Sequence, residues 1–189
     1  MDGAGRVFLG AFGLASGGIL RVDPDGSVRK VAEKMLLPNG QAIIPDGRSF
    51  IVAESAGQRL TAFDLQPDGS LTNRRTWARF GEPATSTHLP EVLARATLWP
   101  DGIALDGAGA VWVANPLGNE ALRVREGGEI TDRISTHPSR CIACALGGPD
   151  GHTLFLCTAP PGLDEEQLRV QRRAALWRGA RTICRHRVL

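Results

Sequence analysis

Two kinds of apolar stretch alternate along the chain. The first is short, nearly continuous and bounded by turn residues: VFLGAF at Val7, FIVAES at Phe50, VWVAN at Val111 and TLFLCTA at Thr153. The second mixes apolar and polar positions and runs into Asp-Gly, as in ILRVDPDG and LTAFDLQPDG, each followed by a further such stretch, SVRKVAEKM or SLTNRRTWARF. Runs of about 4–8 residues between turn residues predict strands. Pro presets the intervening turns and Gly accepts positive φ there. ALRVREGGEITDRIS repeats the hairpin with Gly-Gly at the turn.

Aligning the chain on itself reveals an internal repeat. DGAGRVFLGA from Asp2 matches DGAGAVWVAN from Asp106 without a gap, and PDGRSFIVAES and PDGHTLFLCTA are versions of the same unit. With the turn Asp as marker, Asp2, Asp46, Asp106 and Asp150 lie 44, 60 and 44 residues apart, a period of 44 with one insertion, FGEPATSTHLPEVLARAT at residues 80–97. Four short antiparallel strands per unit of this length predict an all-β chain of propeller blades. In that reading Asp25, Asp46, Asp68, Asp106 and Asp150 are turn residues. Met1 corresponds to Leu105, so the chain opens inside a blade, and four units account for its length.

Two polar residues stand outside the turn positions. Aligning LPNGQAIIPDG with WPDGIALDG sets Asn39 opposite Asp101 and Gly40 opposite Gly102. Both polar residues begin the first strand of a blade, the innermost one, whose end borders the central channel. They read either as caps of strand starts or as amide and carboxylate oxygens converging on a hard cation. The fourth copy has SRCIACALGG there, without an obvious oxygen ligand.

Composition narrows the class. The chain has 189 residues, 42% hydrophobic, with 22 Lys+Arg against 20 Asp+Glu, enough to bury a core and with no central basic run for nucleic acid. No apolar run spans a membrane and MDGAGRVFLGAFG lacks the pattern of a signal peptide, so a cytoplasmic location is expected. Cys141, Cys144, Cys157 and Cys184 do not form a secreted disulfide framework. The CIAC pair has the spacing of half a zinc site but no second close pair, and its apolar neighbours read as strand core. Nucleophile elbows, Walker loops and zincin helices are missing from the sequence.

The segments LPNGQAIIPDGRSFIVAES, LTAFDLQPDGSLTNRRTWARF, WPDGIALDGAGAVWVAN and CIACALGGPDGHTLFLCTA, in this order over about Asp2 to Ala159, resemble the senescence marker protein, gluconolactonase and luciferin-regenerating enzyme family. The resemblance implies a six-bladed propeller holding one divalent metal, calcium or zinc among others, that hydrolyses a small-molecule sugar lactone or related ester. It implies metal ligation by Asn39 and Asp101, with Asp101 also helping to activate the attacking water. The family's metal-binding Glu of the first blade, and the Asn just before the segment matching DGAGRVFLG, have no counterpart. The chain is accordingly expected to be an N-terminally truncated member, residues 1–160 a partial propeller of about four blades and residues 161–189 a helical and basic tail. A non-catalytic binding module and an inactive fragment are the alternative readings.

Lesser features complete the expectations. LDEEQLRVQRRAALWR, residues 163–178, reads as a short C-terminal helix with acidic residues first and Arg later. The basic GARTICRHRVL reads as an unstructured tail, a nucleic-acid-binding arm or the product of a shifted frame. The insertion lies just before Asp101 and should sit beside the channel mouth, either as a substrate lid carrying His88 or as a surface loop. Asn115 and Ser55 are candidates for the pocket lining, against a reading of them, with Glu54, as surface residues. His137 and His152 are expected in solvated turns.

Overall fold

Backbone pairing turns the repeat into four antiparallel sheets in a computed structural model that describes residues 1–162 and 175–180. The first sheet contains β1 (Val7–Ala11), β2 (Gly17–Val22) and β3 (Val28–Met35). The second is β4 (Pro38–Ile43), β5 (Ser49–Glu54), β6 (Arg59–Leu65) and β7 (Leu71–Arg79). After one short helix, α1 (Leu89–Arg95), comes the third, β8 (Ile103–Leu105), β9 (Val111–Asn115), β10 (Glu120–Val124) and β11 (Ile130–Ser135). The fourth is β12 (Arg140–Gly147), β13 (Thr153–Ala159) and β14 (Ala175–Ala180). Within each sheet the strands follow chain order, as expected of hairpin-connected strands.

Burial explains the two kinds of apolar run. β5 and β9 lie between neighbouring strands and between two other sheets, so Phe50 to Ala53 and Val111 to Ala114 are all buried and the runs are continuous. The outer strands β3, β7 and β11 keep one face in water and mix apolar with polar positions. Three apolar layers result. Phe8, Ile19 and Met35 meet Phe50, Val52 and Phe63 between the first two sheets, with the Phe8 and Phe50 rings 5.0 Å apart. Ile51, Ala53 and Leu60 meet Val111, Val113 and Leu122 between the second and third. Trp112, Ala114 and Ala121 meet Cys141, Cys144, Leu154 and Leu156 between the third and fourth. Cys141 and Cys144 are therefore core residues, and burial pushes the Cys141 thiol up to about 12, with Cys157 and Asp101 adding to the effect.

The structure corrects two readings of the sequence. Asp106 and Asp2 do occupy equal turn positions: each accepts backbone N–H bonds from two and four residues on and pairs with an Arg Nε at 2.6 Å, Arg123 and Arg6 respectively. In the second sheet, however, the residue bonded like Asp106 is Ile44, whose N–H donates to Ser49 and whose carbonyl accepts from Gly47. Asp46 sits two positions later and accepts the Arg48 N–H, as Asp150 accepts that of His152. Measured from these true first turn residues, Asn39 and Asp101 both stand five positions upstream, so their equivalence is exact. The second correction concerns the tail. Residues 163–174 of the expected C-terminal helix lie outside the described residues, but Ala175–Arg178 belong to strand β14, paired with β13 from Thr158↔Ala175 to Thr153↔Ala180. The one described helix is α1, in the insertion, with Pro90 in its first turn and Glu91 and Arg95 at the ends the macrodipole favours. Among the described residues no helix is long and apolar enough to cross a membrane.

Glu54 ties the second sheet to the segment before β4. Its side chain is fully buried and accepts from the Leu36 N–H at 2.8 Å, from Thr61, and from Arg59 and Arg74 at 2.9 Å. Burial alone would raise its pKa, but these hydrogen bonds and the two guanidinium charges more than offset it and hold the carboxyl below its ordinary 4.5. A depressed carboxyl pKa contributes stability that is full above 4.5 and is lost as pH falls through the folded-state value. Glu54→Gln should therefore cost about 2–3 kcal/mol in urea unfolding at pH 7 and flatten the acid limb of the stability profile.

Candidate functional site

The site starts with a steric requirement. The inner strands β4, β8 and β12 abut, and backbone bonds cross between their leading ends: the Gly40 N–H donates to the Asp101 carbonyl at 3.1 Å and the Gly102 N–H to the Ile142 carbonyl at 3.0 Å. A Cβ on Gly40 would lie 2.5 Å from the Asp101 oxygen, and one on Gly102 would lie 2.6 Å from the Ala143 Cα. Glycine follows each of the two polar residues because any side chain would separate the strands. Asn39, Asp101 and Ile142 thus occupy one position in three successive sheets, and the third is apolar.

Asn39 and Asp101 are brought together. The Asn39 side chain hydrogen-bonds to Asp101. Asn39 Nδ2 also donates to Ser55 Oγ at 3.4 Å, and Ser55 Oγ donates to the Pro100 carbonyl at 2.7 Å, so one hydroxyl braces both strand starts. The backbone leading to Asn39 is strained: Leu37, just before Pro38, has φ of 56°, which costs a branched residue about 1–2 kcal/mol. It is held there by its N–H on the Gly13 carbonyl at 2.9 Å and its own carbonyl on the Ser55 N–H at 3.1 Å.

Asp101 carries the electrostatic signature. Burial raises its carboxyl pKa from 3.8 to about 6, with the Asn39 hydrogen bond acting in the opposite direction. No Lys, Arg or His forms an ion pair with it among the described residues, although other buried carboxylates such as Glu54 and Asp106 have guanidinium partners. A half-buried carboxylate beside an amide oxygen, without a protein cation, suits a hard divalent ion such as calcium and also accommodates zinc. Among the described residues no group of three or more His, Cys, Asp or Glu is placed to hold a metal.

The other candidates fall elsewhere. Asn115 is buried at the end of β9, where its Oδ1 accepts the Trp99 N–H at 3.1 Å and its Nδ2 donates to Glu120 at 3.1 Å. It positions the segment entering Asp101. His88 stands at the N-cap position of α1, on the exposed side of the insertion and without a side-chain capping bond, with Nδ1 3.6 Å from Glu91. The insertion does pack beside the two strand starts: Val92 meets Ala56 and Trp99, in a cluster that includes Leu36 and Leu37. Gln58, passed over in the sequence reading, fastens both its ends. Its Oε1 accepts the N–H groups of Thr97 and Leu98 at 2.7 and 3.3 Å, and its Nε2 donates to the Glu82 carbonyl. Glu54, Ser55 and Gln58 are buried, not surface residues. Their position after a wholly apolar strand, where a polar group must find partners, was the available signal.

Residues 1–160 match the model of the SMP-30/gluconolactonase/LRE-like region, and the chain belongs to that family. A pentonolactonase of Haloferax volcanii is 28% identical over 84% of the chain and 51% of its own length. A regucalcin of Danio rerio is 28% identical over 90% of the chain and 56% of its own length. In fold, a luciferin-regenerating enzyme superposes with a TM-score of 0.70 at 21% identity, over 87% of this chain and 53% of that one. The chain spans about half the length of the curated relatives it matches.

Two outcomes are expected from this geometry. Gly102→Ala should lower stability by about 2–3 kcal/mol in urea unfolding, because a backbone strand must move to admit the methyl group. Asp101→Asn should raise the melting temperature measured in chelator, by about 1 kcal/mol of stability once solvent screening is allowed for, since it removes an uncompensated charge.

Proposed function

We propose that the chain acts in the metal-dependent hydrolysis of a sugar lactone or related ester, on a six-bladed propeller architecture whose central channel holds one divalent cation through Asn39 and Asp101. The observation that carries this reading is the half-buried Asp101 carboxylate, set against Asn39 on the neighbouring inner strand and lacking a cationic partner among the described residues. Family membership supports it, as does the name of the pentonolactonase relative.

The chain's residues divide the work. Asn39 and Asp101 would supply the amide and carboxylate oxygens that hold the ion, and Asp101 would accept a proton from the attacking water. The chemistry such an ion would supply there is Lewis acidity toward the lactone carbonyl and its oxyanion. Ser55, Asn115 and the inner-strand glycines keep the two oxygens at fixed separation, so little reorganisation accompanies the reaction. The insertion fastened by Gln58 packs beside the segments leading to both residues, with His88 on its exposed side.

Calorimetric titration with calcium and with zinc, paired with a proton-release assay on aldonolactones, tests the proposal. One-to-one metal binding and chelator-sensitive hydrolysis are expected, with Asp101→Ala lowering the rate at least about 100-fold and Asn39→Ala weakening the metal. Hydrolysis indifferent to chelator, or surviving Asp101→Ala, would overturn it. Absence of stoichiometric binding would instead identify a non-catalytic binding module.

A further inference from the structure

An amide side chain presents an oxygen at one end and an NH2 group at the other, and only the oxygen suits a hard cation. Which end of Asn39 faces which way is fixed by its neighbours. Ser55 is fully buried, with its Oγ 3.4 Å from Asn39 Nδ2 and 2.7 Å from the Pro100 carbonyl oxygen. A carbonyl can only accept, so the single hydroxyl proton of Ser55 is committed to Pro100 and Oγ meets Asn39 as an acceptor. The ionised Asp101 carboxylate, the other partner of the Asn39 side chain, is acceptor-only as well. Both neighbours therefore draw the amide nitrogen, which has one hydrogen for each. Turned the other way, the amide oxygen would face two oxygens with no proton between them.

We infer that Ser55 is a positioning residue: by committing its proton to Pro100 it turns the Asn39 amide so that the nitrogen is held and the oxygen is left for an ion. The inference rests on the reading of Asn39 and Asp101 as metal ligands. The hydroxyl is itself firmly placed, because the Ser55 N–H donates to the Leu37 carbonyl at 3.1 Å and the Ser55 carbonyl accepts from the Gln58 N–H at 3.2 Å. The repeat supplies a comparison. In the third sheet the place after β9 belongs to Pro116, whose side chain has no hydrogen-bonding group. The strand start of that sheet bears Asp101, whose two carboxylate oxygens are alike and need no turning. The hydroxyl thus stands in the sheet whose strand start bears an amide.

Two measurements on the full chain test this, the first without metal. In chelator, water exchange of the Asn39 side-chain amide protons, followed by heteronuclear NMR, should be at least about threefold faster in Ser55→Ala, where the bond to Oγ is lost. Calorimetric titration with calcium and with zinc should show Ser55→Ala weakening the bound ion at least about tenfold while circular dichroism is unchanged. In an Asn39→Asp background, whose carboxylate has no end to turn, the same Ser55→Ala change should alter the affinity less than about twofold. Unchanged amide exchange would overturn the inference. So would equal weakening in both backgrounds, which would reduce Ser55 to a brace on the strand that follows Pro100. If neither ion binds the parent chain or any variant, the ligand reading of Asn39 and Asp101 fails, and Ser55 is judged on the exchange rates: faster exchange upholds its hold on the amide, and unchanged exchange overturns it.

Discussion

Everything in this structure depends on how closely the inner strands approach. Because the Gly40 and Gly102 N–H groups reach the carbonyls of the next sheet's leading residues, the sheets are held at a separation that only glycine permits. That separation sets the thickness of the apolar layers, which Phe50, Trp112 and Leu154 then fill. It also fixes the distance between the residues just before the glycines. Positions 39, 101 and 142 are thus geometrically equivalent, and the chain writes Asn, Asp and Ile there. The chemistry of the site lies in this choice of side chains on a contact that is otherwise purely steric.

A second layer of polar residues serves the same end. Glu54, Ser55, Gln58 and Asn115 all end or follow a second strand and are all buried, and each grips a backbone segment leading to Asn39 or Asp101. Glu54 takes the Leu36 N–H, Ser55 the Pro100 carbonyl, Gln58 both ends of the insertion, and Asn115 the Trp99 N–H. Buried polar groups of this kind are stabilising only when fully partnered, and here the partners are the connections that a propeller-type fold would otherwise leave loose. The strained Leu37 backbone is held by the same arrangement, through the Ser55 N–H.

Much of this was legible in the sequence because the repeat is spelled in residues with narrow conformational roles. Asp-Gly turns and continuous apolar runs located the strands, and aligning Asn-Gly with Asp-Gly set Asn39 opposite Asp101, which do adjoin. The turn marker misled by two positions at Asp46 because the second sheet's turn places Ile44 where the third has Asp106, and an Asp that caps the N–H two residues ahead looks the same in either place. The last strand was missed because LDEEQLRVQRRAALWR has helical charge placement, whereas pairing with β13 makes its end a strand. Glu54 and Ser55 resembled surface residues because their burial comes from segments distant in the chain, which no local pattern reports.

Asp101 and Asp106 differ in how their charges are matched. Both precede Gly, and they are five residues apart. Asp106 is enclosed by two backbone N–H groups and the Arg123 guanidinium, so its charge is matched by fixed donors and the turn is rigid. Asp101 has the Asn39 amide and a desolvated setting that pushes its pKa to about 6. An ionised carboxylate so placed destabilises the fold that contains it, and a nearby Lys or Arg would remove the cost. Among the described residues the fold places none there, whereas Asp106 has Arg123.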